Sequence, residues 1–357
     1  MPSNRLRLAA ALSALVVAGC APSVRGHSLI GDPTPIANVP TLPSTAPPAP
    51  STTEARPTTA ARPTTTLPSP STTALDGQPS RPYPVGFTLL NLTDPTRTTG
   101  TTPGRHLPTL VFYPAVGPGH GAETGSAPGL FHSWPLVVFA EGYAVTPLTY
   151  HDLIHSLAAS GFVVAAPAFP LETKGGNLNE GDLRNEPDDI KYVVSQALAA
   201  SAAPGLLHGM IDPTHVGLIG HSDGGEAALG AAYLPGVADA RVGPVIAMSA
   251  SGSLTADRFP PTPRHDLMVV QGTADTVNPP ADGDRLYATA PSPKAYLQLL
   301  GAGHLPPFTT ADQWEPVVEA VIVDWFDAWF SGPYSGSAAG RLGRDGNVNG
   351  VAQVQLG

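Results

Sequence analysis

Residues 220–224 read Gly-His-Ser-Asp-Gly, and their setting constrains the fold more than any other stretch of the chain. Ahead of them runs a short apolar segment, Val216–Ile219; behind them runs a segment of small residues from Gly225 to Tyr233. A strand that turns at once into a helix forces its central residue into a cramped backbone conformation, and only small neighbours let such a turn close. Glycines at 220 and 224 remove the side chains that would collide. The Ser222 side chain then projects clear of the backbone, as a nucleophile requires. The N–H of Asp223 opens the helix and faces the same spot, where it can meet a developing oxyanion. The bland alternative is a Gly-rich turn with a spectator serine, and the strand before and helix after speak against it.

A nucleophilic serine needs a base, and the base needs an orienting acid. On a strand–turn–helix elbow the chain order is serine, acid, histidine. Asp266–Gly272 reads as an apolar strand, and Thr273-Ala274-Asp275 follows, which puts Asp275 on a loop at the strand's C-terminal end. Tyr296–Leu300 is a further strand and runs into Gly301-Ala302-Gly303-His304. Of the 11 histidines, His27, His106, His120, His132, His151, His155, His208 and His215 precede the serine. His221 lies in the elbow and points away if Ser222 points out. His265 opens its strand at the opposite edge. His304 is left as the base. Asp275 is the expected acid; Asp282 and Asp284 are alternatives, although both read as the start of a helix.

The unbroken apolar run Leu136–Ala140 marks a strand buried on both faces. Glu141-Gly142-Tyr143 follows it, and the Tyr143 N–H is the expected second oxyanion donor beside that of Asp223. Negative charge is unhelpful there, so Glu141 is expected to point to solvent or to pair with a cation.

Further strand patterns fall at Thr109–Tyr113, Phe162–Ala166 and Val245–Ser249. Helical patterns fall between them, at Leu148–Ala159, Asp188–Ala202, Asp282–Ala290 and Trp314–Phe330. Strands alternating with helices imply an α/β fold with a mostly parallel sheet covered on both faces. Such sheets carry their sites at the carboxyl ends of the strands, where the three candidate loops meet. The Gly/Asn-rich stretch 168–186 is expected to overhang the pocket, with Tyr143, Ala144, Val145, Phe169 and Leu305 on its rim. His151 and His155 stand four apart on a helix, but no third ligand is evident, and no metal or cofactor is expected. Trp325 and Trp329, at helical spacing, read as core.

Only the C-terminal part of the 357 residues has the makings of a core. Residues 32–82 are dominated by Pro, Thr, Ser and Ala and cannot bury one; they read as an extended spacer. Before them, Arg5 and Arg7 precede the short apolar run Leu8–Ala18, which ends in Val17-Ala18-Gly19-Cys20. A charged start, a run too short to span comfortably and small residues before a cysteine read as a bacterial lipoprotein signal. Cys20, the only cysteine, has no disulfide partner in the chain. The expected organisation is a signal over 1–19, a lipidated Cys20 with a disordered tether over 20–82, and a catalytic domain over 83–357. That arrangement would hold the domain at the outer face of the cytoplasmic membrane. A plain secretory signal with a spectator cysteine is the alternative. The net charge is −10, and losing Arg5 and Arg7 with no acids takes it to −12; with no basic cluster, nucleic acid is not an expected partner.

These motifs together resemble the α/β-hydrolase superfamily, in the group of dienelactone-hydrolase-like enzymes, platelet-activating-factor acetylhydrolases, chlorophyllases and cutinase-type polyesterases. The resemblance rests on Leu110–Pro114, Val137–Tyr143, Ser160–Pro167, Gly220–Gly225, Gly272–Asp275 and Gly303-His304, and it covers residues 83–357. It implies a serine hydrolase acting on carboxylic esters through Ser222, His304 and Asp275, with the N–H groups of Tyr143 and Asp223 as oxyanion donors. Such polyesterases carry a tryptophan where this chain has Ala250–Ser253, and usually a methionine where Asp223 stands. Both departures point away from aromatic polyesters, with a polyester- or cutin-type hydrolase kept as an alternative; the apolar rim, and the carboxylates of Asp223 and Glu141 expected near the serine to repel anions, point to neutral short- to medium-chain acyl esters or lipids. A catalytically silent, surface-tethered binding protein on the same fold is the alternative from a different class.

Overall fold

The computed structural model describes residues 81–117, 122–130, 132–255, 259, 265–330 and 336–357. The signal and tether expected over residues 1–80, Cys20 included, lie outside them. Among the described residues no helix is long and apolar enough to cross a membrane.

Ten strands form one sheet: β1 (Val85–Thr99), β2 (Thr102–Pro114), β3 (Ala122–Thr124), β4 (Trp134–Ala140), β5 (Val163–Pro167), β6 (Ile211–His221), β7 (Val242–Met248), β8 (Leu267–Gly272), β9 (Lys294–Leu299) and β10 (Ala352–Leu356). Their order is β10-β9-β8-β7-β6-β4-β5-β2-β1-β3. The six strands from β9 to β5 run parallel. β2 and β10 join the two sides antiparallel. The helices are α1 (His151–Ala159), α2 (Glu186–Ala202), α3 (Asp223–Tyr233), α4 (Pro280–Thr289), α5 (Glu315–Phe330) and α6 (Gly336–Asp345).

The central strands read as continuous apolar runs because both of their faces are covered, and period-2 alternation assigns each residue a side. Leu136, Val138 and Ala140 of β4 pack with Ile190, Val193 and Val194 of α2 and Ala227, Ala228 and Ala231 of α3. Val137 and Phe139 turn to the other face, among Leu153, Ile154 and Leu157 of α1 and Val318, Val321 and Phe326 of α5. Trp325 is fully buried there; Trp329, half-buried, donates from its indole nitrogen to Asp266 at 2.6 Å.

From β4 the chain crosses to β5 on one side, then returns past β4 to β6 on the other. Right-handed crossovers therefore put α1 and α2 on opposite faces and open a crevice at the carboxyl ends of β4 and β6. The loops after those two strands are the ones that carry Gly142 and Ser222.

Four elements were not foreseen in the sequence: β1 with the first half of β2, the short β3, α6 and β10. The β1–β2 hairpin reaches beyond the sheet to the 180–185 segment and is fixed there by a buried ion cluster. Arg105 donates to both oxygens of Asp189, at 2.5 Å each, and to Asp182 at 2.6 Å. Arg97 adds a contact to Asp189 at 2.5 Å and one to the Asn185 carbonyl at 2.7 Å. Arginine's planar fork suits such bidentate pairing, and a buried guanidinium left without these carboxylates would be costly.

Candidate active site

Ser222 ends the β6–α3 turn with φ 54° and ψ −121°, a conformation that side chains rarely adopt. Close packing around the turn holds it there. A Cβ on Gly220 would collide with the Gly224 carbonyl, and one on Gly224 with the carbonyls of Ala140 and Glu141. Helical bonding begins only at the N–H of Glu226, which donates to the Ser222 carbonyl at 3.1 Å. The N–H of Asp223, first residue of α3, thus has no acceptor within the helix.

The structure brings Ser222, His304 and Asp275 together from three loops. Ser222 Oγ lies 3.0 Å from His304 Nε2, and His304 Nδ1 lies 2.8 Å from Asp275 Oδ2. The second Asp275 oxygen accepts the N–H groups of Val277 at 2.9 Å and Asn278 at 3.0 Å, and Gln271 donates to Oδ2 at 3.1 Å. A carboxylate so fully supplied with donors, and 3% exposed, is held in one orientation. Asp282 and Asp284, the alternative acids, are engaged elsewhere on α4: Asp282 pairs with Arg285 at 3.2 Å, and Asp284 accepts from the Tyr296 hydroxyl at 3.1 Å.

The loop Glu141–Tyr143 passes directly against the elbow. A Cβ on Gly142 would stand 3.1 Å from the His221 carbonyl and 3.2 Å from Ser222 Cβ, a tight fit that favours glycine here. This close approach brings the backbone of Gly142–Tyr143 to the serine.

Residues 126–250 match the family model described as Chlorophyllase. The matched span holds β4, the Glu141–Tyr143 loop and the Ser222 elbow; it ends before Asp275 and His304. The structure is similar to a ferulic acid esterase from Streptomyces cinnamoneus, with a TM-score of 0.56 and 18% identity over 73% of this chain and 94% of that one. The chain has the α/β-hydrolase fold.

Within this α/β-hydrolase fold, Glu141 departs from expectation. It neither faces solvent nor meets a cation. It is 1% exposed and accepts hydrogen bonds from the Phe169 N–H at 3.2 Å and from the Thr173 hydroxyl. Burial pushes its carboxyl up to about 8, with neighbouring Glu172 adding to the rise. Burial thus favours the neutral form of Glu141, so a negative charge beside the Gly142–Tyr143 loop is disfavoured. Burial likewise raises Glu172 to about 8 and Glu186 well above its usual range. Asp223, less buried, rises to about 6, through burial first and then Glu180 and Glu226.

The 168–186 loop lies against the site. Ala144 N–H donates to the Glu172 carbonyl at 2.7 Å, and Lys174 N–H to the Val145 carbonyl at 2.7 Å. Phe169, expected on the rim, is fully buried; Tyr143 is exposed, and Ala144, Val145 and Leu305 are partly so. A cavity of about 610 Å³ is lined by Thr93, His106, Phe169 and Thr173 among others and by none of the three central residues. His151 and His155 have ring centroids 5.8 Å apart. Among the described residues no group of three His, Cys, Asp or Glu is arranged to hold a metal.

Sequence reasoning overlooked two residues. The sequence offers His221 only as a histidine pointing away from the nucleophile; in the fold it sits between Tyr150 and His304. Glu226, one helical turn after Ser222, is buried and accepts from the N–H groups of Gly252 and Leu254 and the hydroxyls of Ser251 and Ser253, and so shapes the loop after β7. Its position four residues after the serine was the available signal.

Proposed function

We propose that this protein is a serine hydrolase of carboxylic esters. The observation that carries the reading is the unbroken contact from Ser222 Oγ to His304 Nε2 and from His304 Nδ1 to Asp275, at 3.0 and 2.8 Å, on a strained elbow. The esterase described for the structural neighbour and the chlorophyllase family match support the same reaction class.

In this mechanism Ser222 Oγ attacks the acyl carbon while His304 Nε2 takes its proton. The negative charge moves to the carbonyl oxygen, where the N–H groups of Asp223 and Tyr143 receive it; each such donor is worth roughly 3 kcal/mol. His304 then protonates the leaving alkoxide. A water, deprotonated by the same nitrogen, releases the acid and restores the serine. Asp275 keeps the proton on Nδ1 and steadies the imidazolium.

Ester carbonyls flanked by neutral acyl chains suit the apolar rim of Tyr143, Val145 and Leu305. Asp223 and the exposed Glu180 beside it oppose anionic substrates. A catalytically silent, surface-tethered binding protein on the same fold is the second reading, and a protein that no fluorophosphonate labels would favour it. For cell placement, the proposal remains an exported enzyme held at the membrane through a lipid on Cys20.

The test is Ser222→Ala. Turnover of p-nitrophenyl esters should fall at least about 10⁴-fold with the fold intact. Retained turnover would refute the assignment. In the native protein a fluorophosphonate should label Ser222 alone.

A further inference from the structure

We infer that His221 is a positioning residue: three hydrogen bonds in series through its ring tie the oxyanion loop at Gly142 to the backbone of His304. The inference rests on the esterase reading above and names a further residue that serves it.

The series is short and directional. Gly142 N–H donates to the Tyr150 hydroxyl oxygen at 3.3 Å. That hydroxyl lies 2.8 Å from His221 Nδ1. His221 Nε2 lies 2.9 Å from the His304 carbonyl oxygen. The protons can be assigned from the two ends. A carbonyl only accepts, so His221 Nε2 carries a hydrogen. Burial and the adjacent His304 lower His221 to about 3, so its ring is neutral at any working pH and Nδ1 offers a lone pair. Only the Tyr150 hydroxyl can donate to it, which leaves the tyrosine oxygen to accept from Gly142. Every donor and acceptor in the series is then used once.

His304 needs such a support. It follows Gly301-Ala302-Gly303, outside any strand or helix, and Gly301 has φ 73°. Asp275 orients the ring, but the distance from Nε2 to Ser222 Oγ also depends on where the His304 backbone sits. His221 fixes that backbone, and His221 is the residue directly before the nucleophile. The base is therefore spaced against the serine by the serine's own neighbour. The ring of His221 lies 4.7 Å from that of His304 and 5.0 Å from that of Phe308, centroid to centroid, and is packed between them. At the other end, Gly142 comes so near that a Cβ there would stand 3.1 Å from His221 Nδ1. One buried ring thus sets both the base and the oxyanion loop.

Three variants test this by kcat and KM on a p-nitrophenyl ester, with melting temperatures measured alongside. His221→Leu removes the bond to His304; His221→Gln keeps an amide donor at about the same reach; Tyr150→Phe removes one hydroxyl and little packing. Misplacement of a reacting group by about 1 Å can cost 10²-fold, so His221→Leu should lower kcat by about tenfold or more with KM within about twofold. His221→Gln should restore most of that loss. Tyr150→Phe should fall between wild type and His221→Leu, with a near-native melting temperature. Wild-type kcat in His221→Leu or in Tyr150→Phe would overturn the inference. So would equal losses in the Leu and Gln variants, or losses that follow melting temperature across the set. If His221→Leu does not fold, Tyr150→Phe and His221→Gln decide alone by the same criteria. Ser222→Ala separates the two levels: activity there refutes the esterase reading itself, whereas an inactive Ser222→Ala beside a fully active His221→Leu refutes only the role of His221.

Discussion

Glu141 and Phe169 are joined by one hydrogen bond, from the Phe169 N–H to a carboxyl oxygen of Glu141 at 3.2 Å. The two residues lie just beyond the carboxyl ends of β4 and β5, neighbouring parallel strands. The bond fastens the root of the 168–186 loop to the strand end that carries the Glu141–Tyr143 loop, and it does so with a buried acid.

That acid makes stability depend on pH. Glu141 rises from an ordinary value near 4.5 to about 8. Between those values the folded chain keeps a proton that the unfolded chain releases. Stability therefore falls as pH rises through the window, and this contribution is lost above about 8. Glutamine keeps a carbonyl oxygen for the Phe169 N–H and cannot ionise. Glu141→Gln should gain on wild type in melting temperature between pH 6 and pH 9, by roughly 2 °C or more. Melting curves that keep the same separation at both pH values would contradict this.

Asp275→Asn should lower kcat by on the order of 10⁴-fold and change the fold little, because an amide in place of Oδ2 would present a donor to His304 and disturb its tautomer. Activity within tenfold of wild type would show that Asp275 is not the orienting acid.

Asp223→Asn removes a charge beside the nucleophile and keeps the backbone donor. It should raise kcat/KM for a carboxylate-bearing ester relative to its neutral counterpart by roughly three- to tenfold at pH 8. Asp223 is raised to about 6, so the wild-type preference for the neutral ester should shrink as pH drops to 5. A ratio that ignores both the substitution and the pH would remove Asp223 from substrate selection.

Radiolabelled palmitate should enter the full-length protein when it is expressed in bacteria, and Cys20→Ser should abolish that label and move the protein out of the membrane fraction. Label retained by Cys20→Ser would end the lipoprotein proposal.

The sequence reveals much of this fold because buried parallel strands announce themselves. β4, the second half of β6 (Val216–Ile219) and β8 up to Val270 are apolar runs, and the elbow and Asp275 follow from where β6 and β8 stop, as His304 follows from the end of β9. β1 does not announce itself: its burial alternates weakly, it holds Asp94-Pro95-Thr96, and it resembles the Thr/Pro-rich stretch before it. Its pairing with β2 is tertiary information. Glu141 and His221 show the same limit in the site. Glutamate looks like a surface residue until the fold covers it, and a histidine beside the nucleophile looks idle until Tyr150 and His304, distant in sequence, arrive on either side.

The cluster around Arg105 has a practical meaning for anyone wishing to redesign the protein. It clamps one end of the 168–186 loop, and Glu141 clamps the other. Between the clamps, residues 174–180 are all exposed. Insertions, deletions and random libraries confined to those seven positions can vary the loop while both anchor points stay in place. Changes at Phe169, Thr173, Asp182 or Asp189 would instead loosen the scaffold on which any new loop has to stand.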